Sequence, residues 1–172
     1  MSEAIVTYLH DHLAGSHFAI ELLDLLSEQY RGDELGDFAV ALNAEIKEDQ
    51  EKLKRIIELV GSTRVDLAEI TGWLGEKASQ FKLRRDKSQR GVGTFEALEI
   101  LTLGIRGKLA LWQVLPIIRE MDGRIPDFNY GNLAMRAHEQ YARVEGQRRK
   151  TALATFSRTP VCSGCRGAEE RC

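Results

Sequence analysis

Apolar residues return every three or four positions along most of this chain, and strict apolar–polar alternation is almost absent. That periodicity predicts helices and no sheet. Prolines occur only at 116, 126 and 160, so nothing of that kind interrupts the first two thirds of the chain. Five helices are expected. The first covers about 3–30 and stops at Arg31-Gly32-Asp33; the second covers about 34–60, with Gly61 placed to end it in a left-handed conformation. Ser62-Thr63 can cap a third over about 63–86, interrupted by Gly72 and Gly75. Residues 87–93 read as a loop, after which Thr94 caps a fourth helix over about 95–122, stopped by Asp122-Gly123 and Pro126. The fifth covers about 127–155, with Asp127 near its start. Residues 1–156 read as one helical domain, and 157–172 as a flexible tail.

Four of these helices carry a seam spaced alternately by three and four, the spacing that keeps one face against a partner. In the first it runs Ile5, Leu9, His12, Ser16, Ala19, Leu23, and in the second Leu42, Ile46, Asp49, Leu53, Ile56. In the fourth it runs Leu98, Leu101, Ile105, Lys108, Trp112, Leu115, and in the fifth Ala134, Ala137, Tyr141, Val144, Arg148. A charge in such a seam is costly unless it is paired. A hairpin of the first two helices about residue 32 places Asp49 beside Ser16, and one of the last two about residue 125 places Lys108 opposite Tyr141. If the second and fourth helices run parallel, Asp49 and Lys108 share that level. The expectation is a buried polar layer drawn from His12, Ser16, Asp49, Lys108, Tyr141 and Arg148, in which Lys108 is ion-paired to a second-helix acid, Asp49 first. The fourth helix has a second apolar face as well: Ile100, Leu103, Leu111, Val114 and Ile118, continued by Met121. A chain in water does not leave such a patch open. It is expected to be an interaction surface, covered in part by the third helix and otherwise by a second copy in a homodimer.

Two long helices, a connection of about thirty residues and two more long helices make the order of a crossover bundle. That order, with the opening Tyr8-Leu9-His10-Asp11-His12-Leu13-Ala14-Gly15 and the Trp73…Glu76-Lys77 stretch, resembles a group of small bacterial ferritin-like proteins without assigned activity. The resemblance implies an all-α, ferritin-like four-helix bundle with an additional helix in its crossover, and it invites a di-iron or di-manganese centre. Such a centre draws on inward Glu residues and Glu-x-x-His pairs. The residues three before the four histidines are Thr7, Leu9, Ala14 and Met135, so no Glu-x-x-His occurs. The remaining metal candidates are His17 with Glu21 on the first helix, Glu45 and Glu48 beside Asp49, and His138 on the fifth. His17 and Glu21 read more simply as partners on a solvated face. The expectation is no cofactor, with iron or manganese as the alternative.

Composition changes this picture little. Lys plus Arg is 24 against 26 Asp plus Glu, a formal net charge of −2, which argues against nucleic acid as a partner. The local run of Lys77, Lys82, Arg84, Arg85, Lys87 and Arg90 has the acidic second helix as an intramolecular counterpart. No uninterrupted apolar run reaches the length of a membrane span. The start of the chain lacks the pattern of a secretory signal, and Cys162, Cys165 and Cys172 are confined to the tail, so the cytoplasm is the expected compartment and no membrane is involved. No phosphate loop, nucleophile elbow or dinucleotide fingerprint is present. The expected role is non-catalytic, structural or in interaction. A metal-binding oxidase or storage-like protein is the alternative, and a small-molecule or anion-binding module a third reading.

Overall fold

The computed structural model describes residues 3–61 and 90–157. They form four helices and no strand: α1 (Glu3–Gln29), α2 (Glu34–Val60), α3 (Arg90–Met121) and α4 (Tyr130–Phe156). The protein is therefore all-α. The helix expected over 63–86, the basic run before Arg90 and the cysteine tail lie outside the described residues.

Local chemistry sets the ends of the elements. After α1 the Asp33 amide donates to the Tyr30 carbonyl at 3.0 Å, closing a turn in which Gly32 takes φ +87°. Only glycine adopts that backbone without strain. Gly61 ends α2 in the same way, at φ +93°, with its amide on the Ile57 carbonyl at 3.2 Å. The Arg124 guanidinium adds a bond of 2.6 Å to the neighbouring Val60 carbonyl, one of the acceptors that a helix end leaves unpaired. α4 begins three residues later than expected because its cap is Asn129, whose side chain accepts from the Asn132 amide at 3.0 Å. α3 begins earlier than expected: Gly91 and Gly93 are helical, and Thr94 lies inside the helix with its hydroxyl 2.7 Å from the Tyr30 hydroxyl. Gly91 is required by packing, since a Cβ there would come 2.7 Å from Thr155 Oγ1 on α4.

Three cross-contacts fix the topology. Tyr30 meets Thr94 at one end, His12 sits beside Gly107 in the middle, and Arg124 meets Val60 at the other end. α1 therefore runs antiparallel to α3, and α2 runs parallel to it. Ion pairs of Glu34 with Lys150, Glu45 with Arg143 and Glu48 with Arg136 set α2 antiparallel to α4. α1–α2 and α3–α4 are close hairpins, joined to each other through α1–α3 and α2–α4, so α2 and α3 stand on a diagonal. Because α2 ends where α3 ends, the chain between Gly61 and Arg90 joins opposite ends of the bundle.

The core is divided in two. One half gathers Leu9, Leu13, Leu53, Ile56, Leu111, Trp112 and Leu115 among others. The other gathers Leu22, Leu23, Leu42, Ile46, Leu98, Leu101, Ile105 and Val144. Lys108 lies between Ile105 and Leu111, Asp49 between Ile46 and Leu53, and Gln140 between Ala137 and Val144, so a polar level separates the halves. By length and composition alone, Gly91–Met121 is apolar enough to cross a membrane, an 18-residue window within it reaching a mean hydropathy of 1.3, a test that the core helix of a bundle also passes. Part of that apolarity is spent in the two core halves; the rest lies outward, on α3.

Candidate functional site

The most unusual chemistry sits on the bundle's diagonal. Lys108 stretches from α3 to α2, where its ammonium lies 2.6 Å from Asp49 Oδ2, and it also donates to Gln140 Oε1 from α4. Side-chain exposure is 14% for Lys108 and 3% for Asp49, so the pair is withdrawn from water. Gln140, wholly buried, uses its amide nitrogen on Glu45 Oε2 at 3.0 Å and on Asp49 Oδ2 at 3.3 Å. Arg136 brackets the group from α4, with Nη2 on Glu48 at 2.7 Å and Nε 3.7 Å from Asp49 Oδ1. On the α1 side the Gln50 amide donates to Ser16 Oγ at 2.9 Å, and Ser16 in turn donates to the Leu13 carbonyl. All four helices therefore contribute to one level of the bundle.

Burial and neighbouring charge oppose each other here. Burial pulls the Lys108 ammonium below its usual range, against the raising effect of Asp49's charge and hydrogen bond. Burial alone would raise the Glu45 carboxyl, but hydrogen bonds from Arg143 and Gln140 hold it below the ordinary carboxylate range. The Arg136 guanidinium loses to burial and gains more from Glu48, Asp49 and Glu45, so it is raised. His12 is lowered, chiefly by burial, with Asp11 partly opposing.

Beside this layer, between α1, α2 and α3, is a cavity of about 200 Å³. His12, Ser16, Asp49, Gln50, Lys108 and Trp112 share its lining with aliphatic side chains, and Gly15, Gly104 and Gly107 flank it. The wall is mostly apolar. Trp112 Nε1 and Asp49 Oδ1 are buried with no hydrogen-bond partner, as are both ring nitrogens of His10 elsewhere on α1.

The structure brings Ser16, Asp49 and Lys108 together and redistributes the other residues expected with them. His12 lines the cavity, edge-on to Tyr8 at 4.7 Å, and no hydrogen bond among the described residues joins it to the ion pair. Tyr141 is not in the layer: it lies half-buried, stacked on His138 and beneath the Arg106 guanidinium at 4.7 Å. The inward seam of α4 runs one position earlier at this level, so Gln140 holds the place assigned to Tyr141. Arg148 is eight residues further along α4, about 12 Å away, where it pairs with Glu145 and Glu99 at the half-buried edge. Gln50 and Gln140 escaped the sequence reading because an uncharged amide in a seam looks like a surface residue. The signal for Gln140 was its spacing of three from Ala137 and four from Val144.

The interaction surface is also corrected. Leu111 is 1% exposed and belongs to the core, and Ile100 and Ile118 are half-buried against the two core halves. What faces outward is Leu103, Ala110, Ile117 and Met121, with Val114 half-buried among them; Leu103 is 72% exposed.

The donor set does not suit a di-metal centre. Glu45 and Glu48 are engaged by Arg143 and Arg136, and Asp49 holds the Lys108 ammonium. Glu21 and His138 are exposed and His17 is half-buried on the same side of α1 as Glu21. Among the described residues no three His, Cys, Asp or Glu side chains gather to hold an ion. Comparison with protein families, with characterised proteins and with solved structures gives no match to this chain.

Proposed function

We propose that this chain is a ferritin-like bundle that works without a metal, as a non-catalytic structural or interaction protein of the cytoplasm. The observation that carries this reading is the Lys108 ammonium on the bundle's diagonal, held by Asp49 and Gln140. It places a fixed positive charge at the centre, where a di-metal protein would gather carboxylates. The up-down-down-up order of α1–α4 supports the ferritin-like assignment. Metal analysis of protein purified without chelator tests the reading: substoichiometric iron and manganese are expected, and one or two equivalents retained through gel filtration would overturn it.

The interaction half of the proposal rests on α3. Leu103, Ala110, Val114, Ile117 and Met121 follow one another at intervals of seven, four, three and four on the side of the helix turned from the core. That is the seam one helix offers another, and its proposed occupant is the same seam of a second copy. Sedimentation equilibrium should give a dimer for the wild type and a monomer for Leu103→Glu with Ile117→Glu. Monomeric wild type at ~100 μM, a concentration where even a weak symmetric dimer forms, would rule this face out as a homodimer interface.

A further inference from the structure

We infer that the cavity between α1, α2 and α3 binds a neutral, ring-sized aromatic molecule carrying a single hydroxyl group. This goes beyond a structural or interaction role. Size sets the first bound. An apolar cavity of roughly 150 Å³ accepts benzene, so about 200 Å³ admits one ring and one substituent but not a fused polycycle. The walls set the second: Ala19, Ile46, Leu53, Ile105 and Leu111 offer an apolar surface against which a ring packs, with the Trp112 indole for aromatic contact.

Polarity sets the third. His12 lines the cavity half-buried, and its ring makes no hydrogen bond among the described residues. A hydroxyl group pairs with a nitrogen of that ring, with the Ser16–Gln50 pair in the same lining. Charge sets the fourth. The ammonium of Lys108 is neutralised by Asp49 at 2.6 Å, and burial favours neutral His12. An anion would enter this lining without a counter-ion and lose its hydration; a cation would meet Lys108, with only the exposed Asp11 of the lining as counter-charge. Finally, the cavity has a mouth. Gly15 and Gly104 are exposed on α1 and α3, and a Cβ built at either meets nothing within 4 Å.

The test uses the full chain with three probes of one shape: phenol, toluene and benzoate. Calorimetry should show saturable 1:1 binding of phenol, and phenol should shift the imidazole resonances of His12, assigned by their loss in His12→Leu. Toluene should bind about five- to tenfold more weakly, the ratio one hydrogen bond supplies, and benzoate should not bind. His12→Leu should bring phenol down to the level of toluene. Gly15→Leu and Gly104→Leu, which fill the mouth from different helices, should each abolish binding while the far-ultraviolet spectrum stays helical; misfolding of one leaves the other decisive. Absence of saturable phenol binding up to ~10 mM, the range expected of so small a ligand, would overturn the inference. So would benzoate binding as tightly as phenol, or undiminished phenol binding in a folded leucine variant.

Discussion

Lys108 takes a seam position between Ile105 and Trp112 where leucine would pack without cost, and it is tolerable there only because Asp49 and Gln140 meet it. Removing one partner of a buried pair strands the other. Lys108→Ala is expected to destabilise the protein by about 3–5 kcal/mol, measured by urea unfolding. Lys108→Met with Asp49→Leu should recover much of that loss, because neither charge is then left alone; a double variant as unstable as the single one would show that the pair is not what the site must neutralise. Gln140→Leu leaves the ion pair but removes an acceptor from Lys108 and a donor from Glu45, and should cost about 1–3 kcal/mol by the same measurement. The charges at 49 and 108 were legible in the sequence because they break an apolar seam. The amides that complete the layer were not, since Gln50 and Gln140 carry no such contrast and Tyr141 offered a more conspicuous neighbour.

At the scale of elements, both hairpins and the run of α2 could be read from periodicity, and Gly61 from its position after Val60. The start of α3 could not. Gly91 and Gly93 look like breakers, yet both are helical, and at Gly91 α4 approaches so closely that Thr155 occupies the space of a side chain. A similar constraint operates at Gly36 in the first turn of α2, where a Cβ would fall 2.1 Å from the Tyr30 carbonyl oxygen. Alanine is the better helix former by about 1 kcal/mol, so an exposed glycine in this position would gain from the change. Here Gly36→Ala must push the α1–α2 turn outward, and a net loss of about 1–3 kcal/mol is expected. Thermal unfolding distinguishes the two directions: a raised Tm would mean the turn yields without cost.

At the scale of the molecule, acidic side chains held by bases lie along both the α2–α4 seam and the edge of α4. Glu34 is drawn down chiefly by its hydrogen bond from Lys150, and Glu145, bonded by Arg148 and Arg149, is drawn down to about 2 from an ordinary 4.5. A carboxyl with a lowered folded pKa binds protons more readily in the unfolded chain. Its contribution is therefore complete above the unfolded value and is lost as pH falls through the folded one. For Glu145 that window runs from 4.5 down to about 2. Tm should fall as pH is lowered through this range, and Glu145→Gln should flatten that part of the profile while leaving the region above pH 5 nearly parallel to wild type; an unchanged slope would remove Glu145 from the account. The division of the core by one polar level has a consequence for how such a sequence can drift. Within either apolar half a leucine can be exchanged for isoleucine or methionine one position at a time, each change costing little. Positions 49 and 108 have no such freedom, because every single-step route from this pair to an oily one passes through a stranded charge. Descendants of this chain should therefore keep both residues or replace them together, leaving correlated change across two helices as the trace of the layer.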